Sequence, residues 1–409
     1  MGFNKGMGGI AQGYRGGQAI NTANPASYSA CDSLTALFDM GLSLQNGNYK
    51  MGGLQQNAKN TSFDYMAFQF RAAKNVGMSV AILPVSNIGY SFSSQSEALS
   101  GTENITSSYT FNGDGGLHKV MLGAGWRLTK PLSIGVNVGY LYGDYNHSVT
   151  MPFSQTTVNT MTRTYTADIS TYSLDLGVQY IQPLGKNDLL TIGATYTLGH
   201  ETNDKAYRTT MNSSTSSAQT TTDTLTNAFE MPHCLSVGFT YKHKDNLTVG
   251  ADVELQKWSD VKFPNLFDSN NAYNVTTGQF NDKFKVAAGI AYTPDPYARS
   301  LGQKITYKAG GFYSKTYANV SAANGLSDKP YEYGLTAGLT IPIANSNSVL
   351  FSKLPKIAPQ LHVSFQWTHT NVPYISSSTL ARQTLSENYL KFCVGITFSD
   401  VWFYKWKVQ

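Results

Sequence analysis

From Leu247 to Leu255 the chain alternates: Leu247, Val249, Ala251, Val253 and Leu255 are apolar, with Thr248, Gly250, Asp252 and Glu254 between them. Side chains on a strand point to opposite faces with period two, so such a segment has one greasy face and one wet face. The same phase recurs in Leu361, Val363, Phe365 and Trp367, and in Tyr172, Leu174, Leu176, Val178 and Tyr180. Further segments are Val120 to Leu128, Leu132 to Leu141, Leu190 to Leu198, Leu235 to Tyr241, Phe284 to Tyr292, Ile305 to Tyr313, Tyr333 to Ile341 and Leu390 to Phe398. Strands near Leu34 to Leu44, Phe63 to Arg71 and Gly77 to Tyr90 bring the predicted number to about fourteen.

Alternation alone fits a soluble sandwich as well as a membrane barrel, and the connections separate the two. Ala73 to Asn75, Thr129 to Pro131, Leu184 to Asn187 and His243 to Asn246 are short. Between them lie long polar stretches near 91–117, 144–168, 200–230, 257–280, 317–330 and 370–387. Short and long connections in turn are the rhythm of an outer-membrane barrel, with tight periplasmic turns and long outer loops. With both termini in the periplasm, every long stretch falls outside. Pro294 to Gln303 and Ala344 to Pro359 are longer inner connections than this rule prefers.

Composition agrees. Aromatic residues make up 12% and charged residues 13%, the latter about half of a globular share. Tyr and Trp suit the two rims, where a ring meets both lipid and water. The mean hydropathy of -0.25 is expected when half of each strand faces a polar lumen. No apolar run approaches the roughly 18 to 20 residues that a spanning helix needs, so a closed barrel is the remaining way to satisfy a backbone in lipid. The net charge of +5 is spread thinly and makes no nucleic-acid surface. Cys31, Cys234 and Cys393 are far apart and odd in number, giving neither a disulfide framework nor a metal spacing. The opening Met1, Gly2, Phe3, Asn4, Lys5 and Gly6 form no apolar signal core, and a leader removed beforehand is expected.

Gly2, Gly6, Gly8, Gly9, Gly13, Gly16 and Gly17 crowd the first segment beside Gln12, Gln18, Asn21, Asn24 and Pro25. A glycine-rich polar segment of this kind is either a loose tail or a plug folded into the lumen, where glycine allows close backbone approach. The run Asn24, Pro25, Ala26 and Ser27, placed shortly before the first strand, resembles the Asn-Pro-Ala motif of the FadL family of outer-membrane transporters for long-chain fatty acids and other hydrophobic compounds. Gly6, Met7, Gly8 and Gly9 with the sequence Asn24 to Leu37 look most like its Bacteroidetes-type members. The resemblance spans the chain and implies an all-β, transmembrane antiparallel barrel of about fourteen strands with an N-terminal plug. In those terms residues 1–33 are the plug carrying Asn24, Pro25 and Ala26, 34–398 the barrel, and 399–409 an aromatic and basic periplasmic tail. That tail, from Ser399 to Gln409, suits the headgroup layer or a docked partner equally.

FadL-like transporters interrupt their third strand so that a ligand leaves sideways. Pro84 cannot complete a ladder, and with Ser86, Asn87 and Gly89 it marks either such an opening or the rim of an ordinary strand. Phe263, Leu266, Phe267 and Tyr273 lie in an outer loop, where they either contact ligand or pack on one another. The seven histidines fall in no nucleophile-elbow, HExxH or phosphate-loop pattern, and His118 and His362 are placed facing the lumen with Asp175 or Glu332 in reach. The Ser/Thr-rich run Ser213 to Thr226 reads as an exposed flexible loop. No catalytic site, cofactor or metal is expected.

The first functional expectation is passive outer-membrane transport of a hydrophobic, fatty-acid-like molecule, through an apolar pocket above the plug and out through the wall at the third strand. Membrane lipid is then a partner. The alternative is a FadL-like partner barrel in an outer-membrane secretion or assembly complex, without small-molecule transport.

Overall fold

The computed structural model describes residues 2–33, 35–51, 54–100, 103–152, 160–213, 217–265, 272–319, 330–343, 359–375 and 382–401. A short helix α1 (Gly2–Lys5) and a 3-10 helix (Pro25–Ala30) precede the sheet. The strands follow as β1 (Thr35–Met51), β2 (Leu54–Ala73), β3 (Val76–Pro84), β4 (Ile88–Ser100), β5 (Glu103–Arg127), β6 (Leu132–Met151), β7 (Thr160–Pro183) and β8 (Asp188–Thr197). Next come β9 (His200–Glu201), β10 (Ala206–Ser213), β11 (Ala218–Leu225), β12 (Glu230–Met231), β13 (Cys234–His243), β14 (Leu247–Gln256), β15 (Phe263–Pro264) and β16 (Val275–Thr276). The chain ends with β17 (Lys283–Tyr292), helix α2 (Leu301–Lys304), β18 (Thr306–Lys315), β19 (Tyr331–Pro342), β20 (Gln360–Ile375) and β21 (Arg382–Val401).

Every long strand pairs antiparallel with its neighbour in sequence, and β1 closes the ring on β21 from Thr35–Val401 to Lys50–Ser386. With β3 and β4 taken as two halves of one wall position, and β10–β11 as a hairpin added beside β7, the barrel has fourteen positions. The barrel and its strand number match the sequence expectation.

Burial is inverted relative to a soluble protein. Val138, Phe365 and Leu335 are 56, 59 and 63% exposed, whereas Ser79, Asn137 and Gln179 are fully buried. Apolar side chains therefore point out and polar ones point into the lumen, as a barrel in lipid requires. Exposed rings mark both ends of this belt: Trp126, Tyr180, Tyr292 and Tyr307 at the short-turn end, and Tyr140, Tyr172, Tyr196 and Tyr333 at the long-loop end. The ten residues of β8, β13, β14, β17 and β18 match a tilted span of the hydrocarbon core.

Two expectations are corrected. Much of 91–117, 144–168 and 370–387 is strand and not loop, because β1–β2, β4–β5, β5–β6, β6–β7 and β20–β21 extend far past the apolar belt. Those extensions are rich in Ser, Thr and Asn, and on β6 and β7 the buried face carries Tyr145, Tyr165 and Ala167, so the alternation of apolar-out and polar-in ends there. Ser213 to Thr226 largely forms the exposed β10–β11 hairpin, held to β7 from Ala206–Ala167 to Ser213–Thr160. The inner stretch 344–358 and the tail from Trp402 onwards lie outside the described residues.

Candidate functional site

Residues 2–32 meet the inward side chains of strands all around the ring, which places this segment in the lumen. The Asn24 carboxamide shows why that residue type stands there. Its Oδ1 accepts the Ala26 amide (3.1 Å) and caps the 3-10 helix, while its Nδ2 donates to the carbonyls of Gln12 (3.0 Å) and Val178 (3.2 Å). Pro25 starts the helix, where no amide hydrogen is needed. Ala26 is fully buried, and Gly135 and Gly177 of the wall leave room for the Pro25–Ala26 backbone and the Asn24 and Pro25 side chains. Sequence placed the motif; these wall contacts had no local signature.

Side chains from distant strands hold the rest of the segment. Gln179 donates to the carbonyls of Gln12 (2.9 Å) and Tyr14 (3.2 Å), and Tyr28 donates to Asn137 (3.0 Å). Arg15 donates to the Ala26 carbonyl, Gln179 and Ser29. Gly8 donates to Thr336, and Lys308 to the Phe3 carbonyl while lying 3.7 Å from the Phe3 ring centre. One Asp252 oxygen accepts both the Ala11 and Gln12 amides, at 2.5 and 2.9 Å. Stranding a buried amide costs about 1–3 kcal/mol, so Asp252→Ala is expected to raise hydrogen exchange at Ala11 and Gln12, read by mass spectrometry, while distant strand amides keep their protection.

The lumen carries ion pairs where a continuous apolar pocket was expected. Lys119 pairs with Asp175 at 2.7 Å, and Asp175 also accepts from Thr197 at 2.9 Å. Lys283 lies 3.9 Å from Glu254, Lys285 sits over the Phe312 ring, and Asp64 binds both Lys5 and Lys391. His362 does face inward, but Thr340 and Thr397 take its two ring nitrogens at 2.8 Å each. His118 points outward against Tyr142, so it is not a lumen residue. A period-two pattern cannot fix a histidine's partner.

The wall is interrupted at the third position. β3 pairs with β5 up to Pro84–His118, and β4 resumes with Ile88–Gly115. Between them the Val85 and Ser86 amides both donate to the Leu117 carbonyl, at 2.7 and 3.2 Å, and Ser86 Oγ accepts from the Leu117 amide. Gly115 opposite the break has φ +122°, a conformation that side-chain-bearing residues avoid. On its other side β3 pairs with β2 only up to Ile82–Met66. Above that rung, among the described residues, β2 pairs with β1 alone and β4 with β5 alone. The ladder is thus unzipped between β2 and β4. Inside, Leu83 packs on a cluster of Ile20, Leu37, Ala67, Ala81 and Met121. Pro84, Ser86, Asn87 and Gly89 all lie at this break, Asn87 and Gly89 being exposed.

At the long-loop end, Phe263 and Tyr273 join Tyr145, Tyr165 and Phe229 in one packed cluster that also touches Ile88 and Leu117. Phe263 meets Phe229 edge to face at 5.4 Å, and Tyr273 lies 5.8 Å from Tyr165. Burial, then the nearby Tyr165, pushes the Tyr273 phenol up to about 12. Leu266 and Phe267 lie outside the described residues.

A family model described as BamG matches residues 2–409. No curated protein matches the sequence. Among solved structures, the toluene transporter TbuX of Ralstonia pickettii is 16% identical, with a TM-score of 0.62 over 96% of each chain. The P. putida toluene transporter TodX is 14% identical with a TM-score of 0.62 over 98% of this chain and 97% of that one. A Pseudomonas aeruginosa FadL homologue is 12% identical with a TM-score of 0.62 over 97% of each. These likenesses are of fold, and they bear out the expected FadL-like architecture.

Proposed function

The chain belongs to the BamG family, and from that premise we propose that it is an outer-membrane barrel with periplasmic termini that passively moves hydrophobic small molecules and releases them sideways into the bilayer. The unzipped ladder between β2 and β4 carries this reading. Its inner margin is apolar through Leu83, Ala81, Ala67 and Met121, while the remainder of the lumen is occupied by residues 2–32, held mainly by polar side chains apart from one apolar cluster where Met7 and Ile10 meet Ala287 and Ala291. A greasy molecule arriving near the break would meet less resistance toward lipid than down the axis, and its own gradient would set the direction. Phe263 and Tyr273 would shape the approach from outside, and Pro84, Ser86, Asn87 and Gly89 would frame the exit. Transporters of toluene and a FadL homologue share the architecture, and fatty acids or monoaromatic compounds are the cargo classes to try.

Reconstituted in liposomes, the protein should accelerate uptake of such a compound. A carboxylate in an apolar passage costs several kcal/mol, so Leu83→Asp should slow uptake by about tenfold or more. Uptake no faster than in protein-free liposomes would sink the transport reading.

The ionic lumen favours a second reading, a partner barrel in an outer-membrane assembly complex. Mass spectrometry after gentle purification from the native membrane separates the two. A bound apolar compound supports transport, and a stoichiometric protein partner with no apolar compound bound supports the complex.

A further inference from the structure

Asp64 stands where the β1–β2 register slips. Gly41 pairs with Tyr65 and Leu42 with Phe63, so Asp64 is the extra residue of a β-bulge. A bulge breaks the alternation of faces, and here it turns two consecutive side chains inward: Asp64 is 7% exposed at its side chain and Tyr65 is 2% exposed. The first turn of the lumenal segment rests on this pair. Lys5 forms an ion pair with Asp64, whose other oxygen takes Lys391 at 3.2 Å and Ser43 at 2.8 Å. The Lys5 ammonium also lies 5.6 Å from the Tyr65 ring centre. Two residues further along β2 is Met66, the last rung shared with β3. Asp64 is therefore on the free margin of the interrupted wall and holds the segment from there.

We infer that Asp64 is the positioning residue that latches α1 to the edge of the wall opening, so that release of the segment's first turn and movement of the β2 margin are coupled through the Lys5–Asp64–Lys391 triad. The triad is unequal. Lys391 belongs to β21 and stays with the wall, whereas Lys5 belongs to α1. Loss of the Lys5 link leaves Asp64 neutralised by Lys391 and α1 without its ionic anchor, so departure strands no buried carboxylate. A fastening with this property can open and reclose. The inference goes beyond the transport reading, and it holds or fails without any cargo.

The chain supplies its own reporter. Cys393 is 4% exposed and lines a crevice together with Gly2 and Lys5 of the segment and Tyr65, His362 and Ser364 of the wall. With Cys31→Ser and Cys234→Ser as background, Cys393 is the remaining thiol. N-ethylmaleimide should modify it slowly in the refolded protein. Lys5→Met, which alters no strand, and Asp64→Asn, which keeps the side-chain shape, should each raise that rate by about tenfold or more, as expected when a local opening becomes easier. Heat-modifiable migration on gels confirms an intact barrel, and Lys5→Met decides the matter where Asp64→Asn does not fold. An unchanged Cys393 rate in an intact Lys5→Met barrel overturns the latch, whatever the uptake assay gives.

Discussion

Gly193→Leu should expel the lumenal segment from an otherwise closed barrel. A Cβ on Gly193 would lie 1.9 Å from the Gln12 carbonyl oxygen, and one on Gly77 would lie 1.9 Å from that of Tyr28. Both obstacles are backbone, so no rotamer change relieves them. Gly193 belongs to β8 and pairs with Gly238 and Gln179, so the strand is fixed on both sides and the segment must yield. Overpacking of a filled interior costs about 1–3 kcal/mol, and more where backbone must move. Trypsin reads the outcome, because Arg15 is engaged by Gln179, Ser29 and the Ala26 carbonyl in the seated segment. Cleavage after Arg15 is expected to accelerate by roughly 100-fold, the equivalent of ~2.7 kcal/mol of lost local stability. Gly77→Leu should behave alike. Equal protection of the wild type and both variants would mean that the segment does not depend on these approaches.

Deleting residues 2–32 should turn an electrically quiet barrel into a conducting one. The segment contributes fully buried side chains along its length, among them Met7, Ile20, Ala26 and Tyr28, and its removal leaves a lumen lined by Asn137, Gln179, Asp252 and Thr336. Water enters polar-lined space, and ions follow water in barrels of this size class. In planar bilayers the deletion should give discrete current steps at voltages where the full chain gives none. The same quiet trace from both proteins would show that the loop cluster around Tyr145, Phe229 and Phe263 closes the mouth by itself.

The barrel was legible because lipid and lumen impose opposite demands on alternate residues, and Leu247 to Leu255 shows that contrast without ambiguity. Legibility ended where the contrast ended. Past the apolar belt Ser, Thr and Asn predominate in the sequence, and β4 beyond Tyr90, β11 and the upper half of β7 read as loop. Asn24, Pro25 and Ala26 were recognisable through a resemblance, but their work is done against Gly135 and Gly177, glycines that in sequence are ordinary members of alternating strands. Pro84 ends β3 beside the break. The glycines opposite it, Gly115 and Gly116, could not be tied to it until the register placed them there. Asp64 was hidden for a related reason, since a bulge shifts phase by one residue and a single acidic residue between Phe63 and Tyr65 does not betray the shift. His118 was misplaced although it is in phase with the outward Leu122 and Trp126, because its polarity was weighed above its register.

The seam between β1 and β21 has a bearing on how the molecule is made. Residues 2–32 run straight into β1, the strand on which the ring finally closes, so the wall is completed around its own beginning. The segment joins β1 at its Thr35 end, the short-turn end, so its way into the lumen lies opposite the aromatic loop cluster. The segment and the Thr35–Val401 end of the closing seam therefore share one rim of the cylinder. Gly2 lies against Gly395 of β21, so the lumenal segment and the strand that closes the ring brace one another.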